Sequence, residues 1–242
     1  MVRRTPLAVC AALLLATGAA ATATASPHPA ARSGTPDPSQ YTHGKVTNRW
    51  VPLKPGTRMV YSGIKDGERS TDVVYVTRRT VTVQGVVCRV VADRLYLHGR
   101  LEEKTYDWYA QHRNGDVWYF GENTAEYDAQ GHVTNREGTW KAGRDGARAG
   151  IYITAHPTVG QTALQEYYKG HAEDHFKVID TAAAATVPML WTHNAVETKE
   201  WTPLEPGVVD HKFYVRDIGT VLETTAKGPR EVNRLVSVSH VQ

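Results

Sequence analysis

His171, Glu173 and His175 stand at positions i, i+2 and i+4 within Gln165–Val178, the densest run of ionisable side chains in the sequence. Read as a strand, this run sends alternate side chains to opposite faces. One face then carries Tyr167, Lys169, His171, Glu173 and His175. The other carries Glu166, Tyr168, Gly170, Ala172, Asp174 and Phe176. Two imidazoles flanking a carboxylate on one face suit zinc, copper or a similar cation. His156 and His211 are further ligands if the fold brings them close. His-x-Glu-x-His is less specific than His-Glu-x-x-His on a helix, and a solvated salt-bridge cluster has the same spelling. No cofactor is expected apart from that divalent metal.

The same region offers acid–base chemistry. Glu166, Glu173, Asp174, Glu197, Glu200 and Asp210 place several carboxylates on neighbouring stretches. A glycosidase or lyase needs two carboxylates, or a base with an aromatic acid, facing one cleft. Glu166, Tyr167, His171, Glu173 and Glu200 are the catalytic candidates for a lyase, cyclase or glycosidase, with Tyr167 and His171 able to abstract and return a proton. Cross-strand pairing of Glu197 or Lys199 with Asp210 or Lys212 is the structural alternative. There is no Gly-x-Ser-x-Gly elbow, no phosphate-binding glycine loop ending in Lys-Ser/Thr, and no Cys/His zinc spacing. These absences argue against serine hydrolases and nucleotide chemistry.

These residues must be held by strands. Asp66-Gly67, Gln84-Gly85, His98-Gly99, Asn114-Gly115 and Gln130-Gly131 recur every 14 to 18 residues, leaving strand-length intervals between hairpin turns. Val, Thr, Tyr and Trp fill the intervals. Pro203–Gly207 makes a later corner, and Val208–Val215, Thr220–Thr225 and Glu231–Val238 follow it. The fold class is mainly β: a single antiparallel meander of about eleven strands. Twist makes so wide a sheet curl into a barrel or half-barrel, which also removes exposed edges. Thr181–Thr186, four alanines between threonines, reads equally as a helical turn or a solvent-facing strand. Six Trp and twelve Tyr stand against three Phe. Polar-tipped aromatics fall on both faces of several strands, which suits the lining of a ligand cavity.

Residues 1–25 read as a secretory signal peptide: Arg3-Arg4, an apolar run Leu7–Ala20, then small residues around Ala21–Ala25. The run is too short for a transmembrane segment, and Cys10 lies too early for a lipid anchor. Residues 26–47, rich in Ser, Pro, Thr, Ala and Gly, read as a disordered linker. Residues 48–242 form one β-barrel-like domain. Discounting the leader removes two arginines and no acids, which lowers the formal charge from +3 to +1. That balance argues against nucleic acid. The remaining cysteine, Cys88, lies in Val86–Val91 and reads as a small core residue. The expected protein is a secreted monomer, in the extracellular space, whose β-barrel cavity binds a small apolar or amphipathic ligand, a small molecule or a lipid-like one.

Certain motifs carry a resemblance. They are Pro55-Gly56-Thr57, Tyr106–Gln111 with Val117–Glu122, Lys199–Gly207, and His211–Tyr214 followed by Ile218-Gly219. Over residues 48 to 239 this order resembles a group of secreted actinobacterial proteins of unassigned function. The last element also resembles the half-barrel carriers of the lipoprotein-localisation type and lipocalin-like barrels. The resemblance implies a curled sheet, but neither a ligand nor any catalytic residue.

Overall fold

The structure, a computed structural model, describes residues 35–241. The signal-peptide reading and Cys10 lie outside the described residues. Turn chemistry sets the first hairpins. β1 (Thr57–Lys65), β2 (Glu68–Val83), β3 (Val86–Leu97) and β4 (Arg100–Gln111) are joined by Asp66-Gly67, Gln84-Gly85 and His98-Gly99. Both residues of each pair have positive φ, 48–52° at the first and 76–80° at the glycine. This is the type I′ geometry, whose twist matches the strands it joins. Asn114-Gly115 sits in a wider loop, where the His112 N–H donates to the Asp116 carbonyl at 2.9 Å. That loop leads into β5 (Val117–Tyr127).

The chain continues through β6 (Val133–Asn135), β7 (Trp140–Lys141), β8 (Arg148–Ile153), β9 (Thr162–Leu164) and β10 (Glu166–Tyr167). It ends in β11 (His175–Val187), β12 (Leu190–Trp201), β13 (Val209–Val215), β14 (Gly219–Lys227) and β15 (Val232–His240). Eleven of these fifteen strands have six residues or more. The four others have two or three and lie between 133 and 167, where no run of β-forming residues is long enough to announce a strand.

All fifteen form one antiparallel sheet, in the order β10-β8-β5-β4-β3-β2-β1-β15-β14-β13-β12-β11-β9, with β6 and β7 attached to β5. The sheet is not a single meander. β1–β5 and β11–β15 each form one, and the pairing of β1 with β15 joins them in mid-sheet. The two ends of the path are β10, paired to β8, and β9, paired to β11. Only Gln165 separates β9 from β10 in the chain. The sheet therefore curls until one residue bridges its two edges, with no ladder between them. Gly150 of β8 permits this approach: a Cβ there would lie 2.3 Å from the Leu164 carbonyl oxygen and 2.4 Å from that of Gln165.

The continuous strand expected over Gln165–Val178 is broken. Between β10 and β11, Tyr168 and Ala172 form a bridge around a tight turn, closed by the His171 N–H donating to the Tyr168 carbonyl at 2.9 Å. Gly170 occupies the left-handed region there, with φ 78°.

Apolar packing forms two clusters. One gathers Val76, Val83, Val86, Cys88, Phe120, Ile153, Phe176 and Tyr214. The other gathers Met59, Tyr61, Ala183, Ala185, Val187, Val221 and Leu235. Ala183 and Ala185 are buried while Ala182 and Ala184 are exposed, so the alanine run is a strand with one packed face. Cys88 is fully buried, and burial pushes its thiol up to about 12. The expected linker ends earlier than its composition implies. Tyr41 is buried edge-on against His112, Trp118 and Phe120, and Val46 is buried as well. Trp50, Val51 and Leu53 complete a strap over the first cluster.

Candidate functional site

Strand alternation and register bring acids from distant parts of the chain onto the concave face of the sheet. On one flank, Asp107 of β4 pairs across to Glu122 of β5, and Tyr109 pairs with Tyr119. Asp93 of β3 faces Thr105 of β4. On the other flank, Lys212 of β13 faces Glu223 of β14, and Glu223 faces Asn233 of β15. Glu200 of β12 sits beside Asp210 of β13. Between the flanks lie four adjoining hollows of about 190, 280, 140 and 250 Å3. They share walls: Asp72, Asp93 and Asn233 line the first two, Glu223 the first three, and Lys212 the first, third and fourth. The interior is thus one branched chamber. Among the described residues, twelve carboxyl groups and two lysines, Lys65 and Lys212, line it.

Lys212 marks the centre. Its Nζ lies 2.9 Å from Glu200 Oε2 and 3.5 Å from Glu223 Oε1. Burial pulls its pKa down, but the Glu200 and Glu223 carboxylates outweigh burial and hold it well above the usual lysine range. Glu200 is fixed on its other oxygen, which accepts from Thr198 Oγ1 at 2.8 Å and from the Tyr214 hydroxyl at 3.1 Å. Glu223 keeps 39% of its side chain accessible while lying deep within the fold. The chamber is therefore hollow and reachable by solvent, not a packed polar core.

Two other acidic groupings have no lysine of this kind. At one end Asp72 and Asp93 face each other. Burial raises both, and the Asp72 carboxyl adds to the rise at Asp93. Asn233 Nδ2 donates to Asp72 Oδ2 at 3.1 Å, and the Asp72 and Asp93 carboxyls lie within hydrogen-bonding reach of each other. Lys65 stands at this end, 3.5 Å from Glu231. At the other end Glu166 lies beside Asp174 and near Glu122. Burial, then Asp174 and Glu122, push Glu166 well above the ordinary range, and burial with Asp107 does the same for Glu122. Two carboxyls this close cannot both ionise cheaply in a site of low polarity. Glu166 Oε2 and the neighbouring Trp140 Nε1 are both buried without completing a hydrogen bond.

Between these ends, Tyr109, Tyr119 and Tyr152 form a wall. The Tyr109 and Tyr119 rings stack at 4.8 Å, and Tyr152 meets Tyr109 edge-on at 5.0 Å. Burial keeps all three phenols protonated, Tyr152 being pushed up to about 12. The Tyr119 hydroxyl donates to Asp107 Oδ1 at 2.7 Å. Burial outweighs that bond and raises Asp107 to about 7.

The structure separates the residues that the sequence grouped together. Glu166 and Glu200 line the chamber, as does Asp174. Tyr167 alternates with Glu166 and lies under the Arg148 guanidinium, 4.1 Å from its ring centre. His171 is exposed on the turn, stacked on Tyr168, with Nδ1 2.8 Å from Glu137 Oε1. Glu173 accepts the Gly170 N–H at 2.7 Å. His175 stacks on Trp201 at 5.4 Å, and burial lowers its pKa. The i, i+2, i+4 alignment of His171, Glu173 and His175 therefore does not form, because His171 lies in the turn, Glu173 accepts the Gly170 N–H across it, and only His175 is in a strand. Among the described residues, no group of three or more His, Cys, Asp or Glu is placed to hold a metal ion. His211 instead pairs with Glu197 at 2.7 Å on the face opposite Lys212. The sequence reading missed Asp72, Asp93, Glu103, Asp107, Glu122 and Glu223. Their one signal was an acid alternating with tyrosine, threonine or valine on a strand face, as in Thr105-x-Asp107-x-Tyr109.

No family model and no curated protein matches the chain. Among solved structures, it is similar to a protein described as exported, with a YmcC-like fold, from Bacteroides fragilis. The two share 12% identity over 79% of this chain and 99% of that one, with a TM-score of 0.47. It is also similar to a protein described as a lipoprotein from Parabacteroides distasonis, again at 12% identity over 79% and 99% of the two chains, with a TM-score of 0.44. No described helix is long and apolar enough to cross a membrane.

Proposed function

We propose that this is an exported binding protein whose chamber takes a small, positively charged, hydrogen-bond-donating ligand. The observation that carries the reading is the imbalance of twelve carboxyl groups against two lysines around a solvent-reachable hollow. A chamber of this kind relieves repulsion by holding protons, which is the direction in which Asp93, Glu122 and Glu166 are shifted. A cation relieves it better, because it supplies charge and donors to the same oxygens. A lipid-like or purely apolar ligand fits poorly, since it would leave these carboxyls dry and unpaired. An amphipathic ligand fits if its polar part is cationic, with the Tyr109–Tyr152 wall taking the apolar part. Export rests on the leader-like residues 1–25.

The test is titration of tyrosine and tryptophan fluorescence with matched amines, neutral polyols and fatty acids. Amines should bind, and more tightly as pH rises from about 5 to 8, since the cation competes with protons for the chamber. Binding of fatty acids with none of amines would overturn the reading.

One observation favours an acid–base enzyme as the second reading. Asp107, raised to about 7 and held by Tyr119, is poised to exchange a proton near neutral pH. Glu166 and Glu200 remain candidates in that reading because they share its chamber. Tyr167, His171 and Glu173 lie away from it. Turnover of an amino sugar glycoside, lost in Asp107→Asn with binding retained, would establish it. Binding of such glycosides without turnover would discard it.

A further inference from the structure

We infer that the chamber's ligand is a linear diamine or polyamine, with one terminal ammonium at Glu166 and Asp174 and the other at Asp72 and Asp93. This rests on the cation-binding reading and deepens it. The protein displays the binding mode with its own ammonium, since Lys212 Nζ already sits between Glu200 and Glu223. The two outer pairs hold the same kind of oxygen cradle with no lysine seated in it. Glu166 is the sharper of the two. Only 8% of it is exposed, its Oε2 completes no full hydrogen bond although the Asp174 carboxyl and the Trp140 indole lie against it, and it lines the hollow of about 250 Å3. Trp140, 3% exposed, lies against this carboxyl with its indole N–H short of a full hydrogen bond. An ammonium at this point would give the carboxyl a charged donor, which the neutral indole N–H does not supply.

Among the described residues no three of the acids are placed to hold a metal ion, so they suit organic cations better. The stretch between the pairs is walled by Tyr109 and Tyr152, whose rings suit a methylene chain. Asp93 on β3 and Glu166 on β10 are four strands apart in the sheet. That is roughly 19 Å along the curve at about 4.8 Å per strand, and the curl and the inward reach of both side chains shorten the span. A short diamine cannot bridge it.

Calorimetry on the purified protein near neutral pH decides the matter, with 1,8-diaminooctane and spermidine compared against n-octylamine and 1,2-diaminoethane. The long dications should bind at least about tenfold more tightly than either control, because each end adds a charge-assisted contact. Glu166→Gln and Asp72→Asn should each bring 1,8-diaminooctane down to the affinity of n-octylamine. If either variant fails to fold, the length and charge series on the unmodified protein decides alone. Equal affinity for n-octylamine and 1,8-diaminooctane would overturn the dication inference and leave the cation-binding reading standing. Binding of none of the four amines would overturn both.

Discussion

Replacing Lys212 with methionine keeps most of its volume and removes the one ammonium seated between chamber acids. Glu200 and Glu223 then face each other with no cation at 2.9 and 3.5 Å. Removing one partner of a buried pair costs about 3–5 kcal/mol. The lower end applies here, because Glu223 is 39% accessible and its share is screened by chamber water. A second route gives a similar figure. A stranded carboxyl can take up a proton, and for an ordinary value of about 4.3 this costs about 3.7 kcal/mol at pH 7 and about 1 kcal/mol at pH 5. The expected loss is therefore about 3 kcal/mol at neutral pH, shrinking to about 1 kcal/mol near pH 5. The sign follows from linkage. The variant raises the folded-state pKa of the stranded acid above its unfolded value, so stability present at low pH is lost as pH rises through the folded value. Urea unfolding followed by tryptophan fluorescence at both pH values measures it, and Lys212→Met with Glu200→Gln should recover part of the loss. A neutral-pH loss below about 1 kcal/mol, or one that does not shrink on acidification, would refute the reasoning.

Three further outcomes are expected. In the unmodified protein, burial raises Asp72, Asp93, Glu103, Glu122 and Glu166, and Asp107 reaches about 7. The empty chain should therefore lose stability as pH climbs from about 4 through 7, and a melting series showing a rise over that window would contradict it. Tyr119→Phe removes the 2.7 Å bond that favours ionised Asp107; carboxyl NMR titration should place Asp107 above 7, with a stability loss of about 1–2 kcal/mol in urea. Gly150→Val puts side-chain atoms where a Cβ alone lies 2.3 Å from a carbonyl oxygen. It should cost about 3 kcal/mol or more and speed amide exchange in β8–β10 first; exchange speeded uniformly would argue against a local seam.

The sequence made the turns legible because their chemistry is local. Asp66-Gly67, Gln84-Gly85 and His98-Gly99 each demand positive φ at two residues, whatever lies elsewhere. The face pattern of β12 was legible for the same reason: Val196, Thr198 and Glu200 alternate, and all three are buried. The site was not legible, because a strand residue's face acquires a meaning only through pairing. Asp93 meets Asp72 and Asp107 through β2–β3–β4 register, and Glu223 meets Lys212 through β13–β14 register. The histidine cluster misled because charge density drew the eye past Gly170, whose left-handed backbone turns the chain between Glu166 and His175.

The pairing of the first long strand with the last has a consequence for how the protein comes into being. Thr57 lies opposite His240, so the central ladder joins segments 183 positions apart. Loop-closure entropy must be met before that ladder returns any energy, which makes folding slow and strongly non-local. During synthesis the two meanders can each begin to assemble, yet neither can curl around the chamber until the final strand has emerged. The curled sheet is then completed only once β15 is free to pair with β1.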